Sequence, residues 1–244
     1  MKAALIGDIH ANLPALERVL SDARGQGVES IWNVGDSVGY GLFPEEVVQR
    51  LRRGYVLSTI GSQDRKILRF KKRQEKWRRK KSLEEYLAYK WAYEHLSKRS
   101  RKYLRFLSRE IRMKVQGKRI LLTHTRPGFG KSGLRRDTPE KELRRLAREV
   151  MADVIICGHS HQPFARQVDS VWFLNPGSVG QIDDGQPRAS YAILEIRSGE
   201  ICVDHHRVEY ELEPVTAALR EKDVPDVFAQ IVLPGRDRQA GQNG

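Results

Sequence analysis

The sequence predicts an α/β protein whose strands run parallel, and two observations support this fold class. Short apolar runs at 3–6, 31–34 and 55–60 alternate with two segments of helical periodicity, which gives the order β-α-β-α-β. This order predicts parallel strands joined by right-handed crossovers, with their carboxyl ends at one edge of the sheet. Each run is also followed by glycine and a polar side chain that can bind a ligand. Open α/β sheets hold their ligands at this edge, so a site is expected there.

The element boundaries follow from apolar spacing and from the positions of glycine and proline. The first helix is predicted to begin at Asn12 or Pro14 and to stop at Gly25 or Gly27. A second helix is predicted at 44–53. The later elements are strands at 119–123, 153–157, 165–168, 171–174, 189–196 and 201–210, a turn at 175–178, a helix at 135–151 with Pro139 in its first turn, and one or two short helices at 214–233.

The chain is strongly basic, but the positive charge is concentrated in one segment. The 244 residues carry a formal net charge of +13. Residues 65–81 contain eleven lysines and arginines and one acidic residue, Glu75, so this basic run accounts for +10 of the total. Two interpretations stay open. The basic run either forms a solvated helix face, or it draws polyanions such as nucleic acid or a nucleotide toward the site.

The basic run belongs to a segment that differs from the rest of the chain. Residues 64–111 are charged, helical in pattern and rich in aromatic residues. We interpret them as an insertion near the rim of the site, within a single domain at 1–235. The aromatic side chains follow the helical period, so packing is expected in preference to base stacking. The last residues, 236–244, are polar and glycine-containing and are predicted to be disordered.

Cysteine usage and hydropathy predict a cytoplasmic protein. Cys157 and Cys202 are far apart, and each lies in an apolar stretch. Both are therefore predicted to be buried thiols in a reducing compartment. The first residues lack the apolar run of a signal peptide, and charges interrupt the chain too often for a membrane span. No membrane partner is expected, and the sequence leaves the oligomeric state open.

Six side chains with metal-binding chemistry follow the predicted strands. They are Asp8, His10, Asp36, His124, His159 and His161. A single Asp-x-His is usually a turn with a surface histidine, but here the pattern recurs in separate segments. Two carboxylates and four imidazoles are too many for one tetrahedral ion, and they suit two divalent cations with a carboxylate between them. His205 and His206 would lie on opposite faces of one strand, so no joint site is expected there.

These side chains stand in motifs that resemble those of the calcineurin-like metallophosphoesterase family, especially its small bacterial and archaeal phosphodiesterases and phosphatases. The similarity extends from residue 1 to about residue 210 and is weakest between 64 and 119. The motifs are Gly7-Asp8-Ile9-His10-Ala11-Asn12, Gly35-Asp36-Ser37-Val38-Gly39-Tyr40-Gly41, Thr123-His124, Gly158-His159-Ser160-His161-Gln162-Pro163 and Asn175-Pro176-Gly177-Ser178-Val179-Gly180-Gln181.

The resemblance implies a four-layer α/β/β/α sandwich with two metal ions at the strand ends. The ligands that it implies for one metal are Asp8, His10, Asp36 and His161. Those that it implies for the other are Asp36, His124, His159 and one further residue, so that Asp36 forms the bridge.

The chain departs from the family pattern at that further residue. After the third strand the family has Gly-Asn, often followed by His and Asp, and here Ser62 and Gln63 occupy the Asn-His positions. A serine hydroxyl is a shorter and poorer ligand than an amide oxygen. Gln63, at the position that faces the leaving group, can donate a hydrogen bond but cannot supply a proton. The second metal is therefore expected to bind more weakly than the first.

The predicted function is hydrolysis of a phosphoester by water activated at a two-metal site, as a phosphodiesterase or a phosphatase. Manganese, iron, nickel and zinc all accept oxygen and nitrogen ligands, so the sequence does not select one. The substrate would be a phosphorylated small molecule, a nucleotide or a nucleic acid. The alternative is a family member that has become a binding or scaffold module, which Ser62 and Gln63 would explain and the six retained ligand residues would not.

Overall fold

The computed structural model describes residues 1–128, 130, 132–181, 186–221, 224 and 228–229. Its strands are β1 (Lys2–Ile6), β2 (Ser30–Asn33), β3 (Leu57–Ser58), β4 (Glu110–Val115), β5 (Lys118–Thr123), β6 (Val154–Ile156), β7 (Phe164–Val168), β8 (Val171–Asn175), β9 (Arg188–Arg197) and β10 (Glu200–Glu209). Its helices are α1 (Leu13–Gly25), α2 (Pro44–Arg53), α3 (Ser62–Leu68), α4 (Phe70–Lys80), α5 (Leu83–His95), α6 (Lys98–Phe106), α7 (Glu140–Val150) and α8 (Glu213–Glu221). The predicted disordered tail at 236–244 lies outside the described residues.

The strands form two five-stranded sheets. The first sheet has the order β10-β9-β1-β2-β3, in which β1, β2 and β3 are parallel and β9 is antiparallel to both of its neighbours. The second has the order β4-β5-β6-β8-β7, in which β5, β6 and β8 are parallel. The α/β prediction is thus confirmed, and antiparallel strands complete each sheet.

The burial of alternate side chains shows that the sheets pack face to face between two helical layers. Leu5 of β1 shares a core cluster with Leu122 of β5 and Ile156 of β6. Its neighbour Ile6 points the other way, into a cluster with residues of α1 and α2. On the outer face of the second sheet, Ile155 packs with residues of α7. The order of layers is therefore helix, sheet, sheet, helix, and the four-layer α/β/β/α sandwich is confirmed.

The residues at 64–111 are mostly helical up to Phe106, and most of their aromatic side chains pack internally. Phe70 and Tyr89 are buried in a cluster to which Val48 of α2 also belongs. Phe70 lies 5.6 Å from Tyr86 and 6.3 Å from Trp77 between ring centroids. Packing rather than base stacking is therefore the role of most of these rings. Ser82 caps α5 by accepting a hydrogen bond from the amide of Glu85.

Several boundaries differ from the predicted ones for identifiable reasons. The predicted strand at 55–60 is reduced to Leu57–Ser58, because the amide of Ile60 bonds Ser108 instead of β2. The predicted helix at 135–151 begins only at Glu140. Pro139 is its N-cap, with ψ of 136°, and the helical region is disfavoured for the residue before a proline. The strand β4 is not predicted separately by the sequence pattern.

Two further expectations are corrected or refined. Cys157 is buried as predicted, but Cys202 is exposed, because it lies on β10 at the edge of the sheet. His205 and His206 lie on opposite faces of β10: His205 hydrogen bonds the carbonyl of Asn175, and His206 stacks on Tyr191. None of the described helices is both long enough and apolar enough to cross a membrane.

The packing between the sheets predicts a large cost for shortening a side chain there. Leu122→Ala should lower the free energy of unfolding by about 2–5 kcal/mol, because Leu122 is fully buried between the sheets. The matched control is Leu83→Ala, since Leu83 is 64% exposed and should change stability by less than about 0.5 kcal/mol. Urea unfolding measures both, and equal decreases would contradict the assigned position of Leu122.

Candidate metal centre

The six predicted ligand side chains lie together at one edge of the two sheets. β1, β2, β5 and β6 run toward this edge, and the loops that follow these strands carry Asp8, His10, Asp36, His124, His159 and His161. Within the described residues they form two groups, in each of which the three ligand atoms lie within 4.8 Å of one another. The first group is Asp8, His10 and His161, and the second group is Asp36, His124 and His159. The bridging role of Asp36 stays a prediction.

In the first group, three atoms with lone pairs converge on one point. The Nε2 atoms of His10 and His161 are 3.1 Å apart, and Oδ1 of Asp8 lies 3.3 Å from Nε2 of His161. This Oδ1 is buried and has no hydrogen-bond partner among the described residues, whereas Oδ2 accepts a hydrogen bond of 2.9 Å from the amide of His159. A buried carboxylate oxygen without a hydrogen bond is costly unless a cation balances it. The donor set therefore fits a divalent metal ion.

In the second group, hydrogen bonds from outside fix the orientation of the ligands. Nδ1 of His124 lies 3.1 Å from the carbonyl oxygen of Val34, which directs Nε2 toward Asp36 and His159. Nε2 is 3.1 Å from Oδ2 of Asp36 and 3.2 Å from Nδ1 of His159. Oδ1 of Asp36 accepts a bond of 2.7 Å from the amide of Gln63. This arrangement, in which a backbone carbonyl orients a histidine and a backbone amide orients a carboxylate, is typical of metal ligands.

Burial and mutual charge perturb the ionisation of these groups. Burial lowers the pKa of His10 to about 3, and the neighbouring His161 contributes to this decrease, so His10 is neutral and can donate a lone pair. Burial alone would raise the pKa of Asp8, but the imidazole of His161 holds it below its usual value. Burial also opposes the charged form of His124, but the carboxylate of Asp36 outweighs it and raises the pKa to about 9.

The backbone is strained where it presents these side chains. Five of the six ligand residues have positive φ: Asp8 at 50°, His10 at 49°, Asp36 at 52°, His159 at 70° and His161 at 56°. Non-glycine residues seldom adopt this left-handed conformation, which costs of order 1–3 kcal/mol each. Clusters of such residues are typical of functional sites, because the surrounding structure must hold them there.

Ser62 and Gln63 belong to the first turn of α3 and not to a loop after the third strand. Oγ of Ser62 lies 3.3 Å from Oδ2 of Asp36, so it borders the second group. The side-chain carbonyl of Gln63 accepts a bond of 2.7 Å from the hydroxyl of Tyr89, and its amide lies 3.4 Å from the hydroxyl of Tyr40. The side chain of Gln63 is therefore held between Tyr40, in the loop after β2, and Tyr89 of α5.

Sequence reasoning missed three residues that organise this edge: Asp64, Tyr40 and Tyr89. Asp64 is fully buried and accepts bonds of 2.9 Å from the amides of Val38 and Gly61, so it ties together the loops that follow β2 and β3. Burial, with the charge of Asp36, raises the pKa of Asp64 to about 6. A carboxylate three residues after the N-cap of a helix is a capping signal that could have identified Asp64. No comparable signal marks Tyr89.

The turn at 175–178 forms hydrogen bonds with two of the loops that carry candidate ligands. The side-chain amide of Asn175 donates to the carbonyl of Gly158 at 3.0 Å, next to His159. The hydroxyl of Ser178 donates to the backbone carbonyl of Asp8 at 2.8 Å. The predicted turn therefore contributes hydrogen bonds that hold two ligand-bearing loops.

Gly61 is required because the backbone of Asp36 passes directly over it. A Cβ at Gly61 would overlap the backbone nitrogen and Oδ1 of Asp36. We predict that Gly61→Ala lowers the free energy of unfolding by about 1–3 kcal/mol through this overlap. The control is Gly25→Ala, where a Cβ would meet nothing within 4 Å and stability should be unchanged or slightly higher. Denaturant unfolding of both variants tests this, and a neutral Gly61→Ala would contradict the close approach.

The comparisons with known proteins agree with this geometry. An uncharacterized protein of Methanocaldococcus jannaschii is 29% identical over an alignment of 255 positions that covers 96% of this chain and 98% of the relative. The crystal structure of a metallophosphoesterase from Sphaerobacter thermophilus superposes with a TM-score of 0.74 at 29% identity, covering 95% of this chain and 98% of the other. A hypothetical protein from Pyrococcus horikoshii has the same fold, with a TM-score of 0.84 at 19% identity and coverage of 97% and 99%.

The family model of the calcineurin-like phosphoesterase superfamily domain matches residues 1–199. This match includes both sheets' parallel strands and all six candidate ligands, and the described fold is that of the metallophosphoesterase from Sphaerobacter thermophilus. The chain therefore belongs to the calcineurin-like phosphoesterase superfamily.

Proposed function

We propose that this protein hydrolyses a phosphoester at two divalent metal ions held by the six ligand residues. The observation that carries the proposal is the convergence of these side chains in two groups, one of which contains a buried carboxylate oxygen with no hydrogen-bond partner in the described part of the chain. Membership of the superfamily and the likeness to a metallophosphoesterase support the same reaction class. Whether the ester is a mono- or a diester stays open, as does its identity.

The residues of the chain have distinct roles in this proposal. Asp8, His10 and His161 would hold one metal, and Asp36, His124 and His159 would hold the other. Manganese, iron, nickel and zinc are all compatible with this set of oxygen and nitrogen donors. When bound, such ions neutralise the phosphoryl oxygens and lower the pKa of a water that acts as the nucleophile. Val34, Gln63 and Asp64 keep the second group in position through their hydrogen bonds.

The leaving-group side of the site has a hydrogen-bond donor but no strong general acid in our proposal. Gln63 is held by Tyr40 and Tyr89, so its amide can stabilise a departing oxygen without protonating it. General acid help is typically worth about 10²–10⁴-fold in rate. Esters with good leaving groups, such as p-nitrophenyl esters, should therefore be hydrolysed much faster than alkyl phosphates.

The alternative is a metal-binding module without catalysis, favoured by Ser62 and Gln63 at the positions of the usual asparagine and histidine. The two functions are distinguished by assaying the metal-loaded protein against p-nitrophenyl phosphate and bis-p-nitrophenyl phosphate. Stoichiometric metal binding without turnover of either ester would favour the module. Turnover that disappears with a chelator and returns with one of the four metals would support the hydrolase.

We predict that His161→Ala removes metal binding from the first group. Loss of a ligand should lower the metal content, abolish turnover and reduce the rise in melting temperature on adding manganese, since a ligand that binds the folded state stabilises it by mass action. The control is His95→Ala, because His95 is exposed on α5 and outside both groups. Metal content is measured on the purified proteins, and an unchanged content in His161→Ala would refute the assignment.

We predict that Ser62→Asn strengthens the second metal site. An amide oxygen reaches farther and binds a metal better than a hydroxyl, and Ser62 already lies 3.3 Å from Asp36. Metal occupancy per chain should rise toward two, and turnover should rise with it. The matched control, Ser62→Ala, should leave occupancy unchanged or lower it. Two metals per chain in the parent protein, with no change in Ser62→Asn, would show that another group supplies the ligand.

A further inference from the structure

A cleft with a volume of about 630 Å³ adjoins the second group. Ser62 and His159 contribute to its lining, and Thr125 and Trp77 form other parts of the wall. The lining also includes six basic side chains: Arg65, Lys66, Arg69, Arg73, Lys76 and Arg109. The described residues that line it include no aspartate or glutamate. The cleft is therefore a positively charged surface that leads directly to the candidate metal centre.

The basic residues of the cleft form a stripe along α3 and α4. Arg65, Arg69, Arg73 and Lys76 are spaced by four, four and three residues, the spacing that places side chains on one helix face. Arg69 joins the two helices with φ of −96° and ψ of 0°, so the backbone stays close to helical between them. At 1.5 Å per residue the stripe is about 16 Å long. A surface of this length exceeds what one phosphoryl group needs.

Packing determines which face of α4 lines the cleft. Phe70 is buried among aromatic side chains, and Trp77, seven residues later, lies 5.4 Å from Tyr89 between ring centroids. These two contacts fix the rotation of a helix that otherwise has almost no apolar residues. Other basic residues of the run, such as Lys71, Lys72 and Arg79, are exposed but do not line the cleft. The structure thus divides the basic run into two sets.

The basic side chains of the cleft crowd one another. Nε of Arg65 is buried and has no hydrogen-bond partner among the described residues. Burial and the guanidinium of Arg109 both lower the pKa of Arg65, and burial and Lys81 lower that of Lys66. Like charges one helical turn apart destabilise a helix. A bound polyanion would relieve this repulsion and satisfy the open guanidinium donor of Arg65.

We propose that the substrate carries a chain of consecutive phosphate groups, with the scissile one at the metal centre and its neighbours bound along the cleft. This inference rests on the proposed function for the position of the scissile group. Arginine binds phosphate through two parallel N–H donors, so the three arginines of the stripe suit successive phosphates. A single-stranded oligonucleotide and an inorganic polyphosphate both present such a row of anionic groups. Water would cleave a P–O ester bond in the oligonucleotide, releasing an alcohol and a phosphate, and a P–O–P anhydride bond in the polyphosphate, releasing two phosphates. Trp77 adds a ring that a base could contact, as in other single-strand grooves.

Two variants with equal reduction of charge test the proposal. The cleft variant combines Arg69→Ser, Arg73→Ser and Lys76→Ser, and the control variant combines Lys71→Ser, Lys72→Ser and Arg79→Ser. Binding of fluorescein-labelled hexathymidylate is measured by anisotropy in a chelator at several salt concentrations, with inorganic tripolyphosphate as competitor. We expect the cleft variant to bind at least tenfold more weakly. The slope of log affinity against log salt should flatten by about 0.7 for each phosphate that the variant no longer neutralises. The control variant should change less than threefold.

The outcomes separate direct binding in the cleft, long-range steering and the two sources of phosphate. Equal weakening in both variants would show a general field effect and overturn the proposal, as would no salt-dependent binding by the parent protein. Weaker binding by the cleft variant but not by the control variant supports the proposal. If only the affinity for hexathymidylate falls, the substrate is a nucleic acid. If only the affinity for tripolyphosphate falls, the substrate is a polyphosphate. If a triple variant does not fold, the single variants Arg73→Ser (cleft) and Lys72→Ser (control) are compared in the same binding assay. Binding with no hydrolysis of either p-nitrophenyl phosphate or bis-p-nitrophenyl phosphate by the metal-loaded protein would refute the proposed function but not the cleft.

Discussion

The face-to-face packing of the two sheets is the constraint on which the rest of the structure depends. Alternate residues of β1 belong either to the layer between the sheets, as Leu5 does, or to the layer beneath α1 and α2, as Ile6 does. A shift of one residue would exchange these faces and expose the core, so the register is fixed. Since the parallel strands of both sheets end at the same edge, their loops meet there. Hydrogen bonds cross between the sheets at this edge, from His124 to Val34 and from His159 to Asp8.

The site at this edge is costly to maintain, and the rest of the fold offsets that cost. It combines buried carboxylates, buried imidazoles and five ligand residues with left-handed backbone. Asp64, Asn175 and Ser178 hold the loops by accepting or donating backbone hydrogen bonds, and none of the three belongs to either ligand group. In our proposal the metals then balance the carboxylate oxygen of Asp8, for which the residues that the structure describes supply no hydrogen bond. The site is therefore preorganised by residues whose contribution is structural.

The helical segment between β3 and β4 connects packing to the chemistry of the site. Its aromatic side chains pack on α2 and on one another, which makes the segment part of the body of the protein. The same packing lets Tyr89 hold Gln63 and turns the basic stripe of α3 and α4 toward the second group. In our proposals this helical segment thus contributes both to the leaving-group side and to the binding of further phosphates. On these proposals, a change in this segment alters substrate choice while leaving the six candidate ligands in place.

The sequence by itself determined the α/β class, most elements and the six residues that meet at the sheet edge. It could do so because apolar periodicity and the glycine-polar strand ends are local patterns, and the family resemblance supplied the four layers. Tertiary structure decided what depends on distant contacts: the short ladder of β3, the division of the ligands into two groups, and the link from Asp64 to Val38. It also decided which lysines and arginines face the site. In a run of lysines and arginines, the sequence does not show which side chains face the cleft. The packing of Phe70 and Trp77 in the aromatic cluster fixes the rotation of α4, and this rotation decides it.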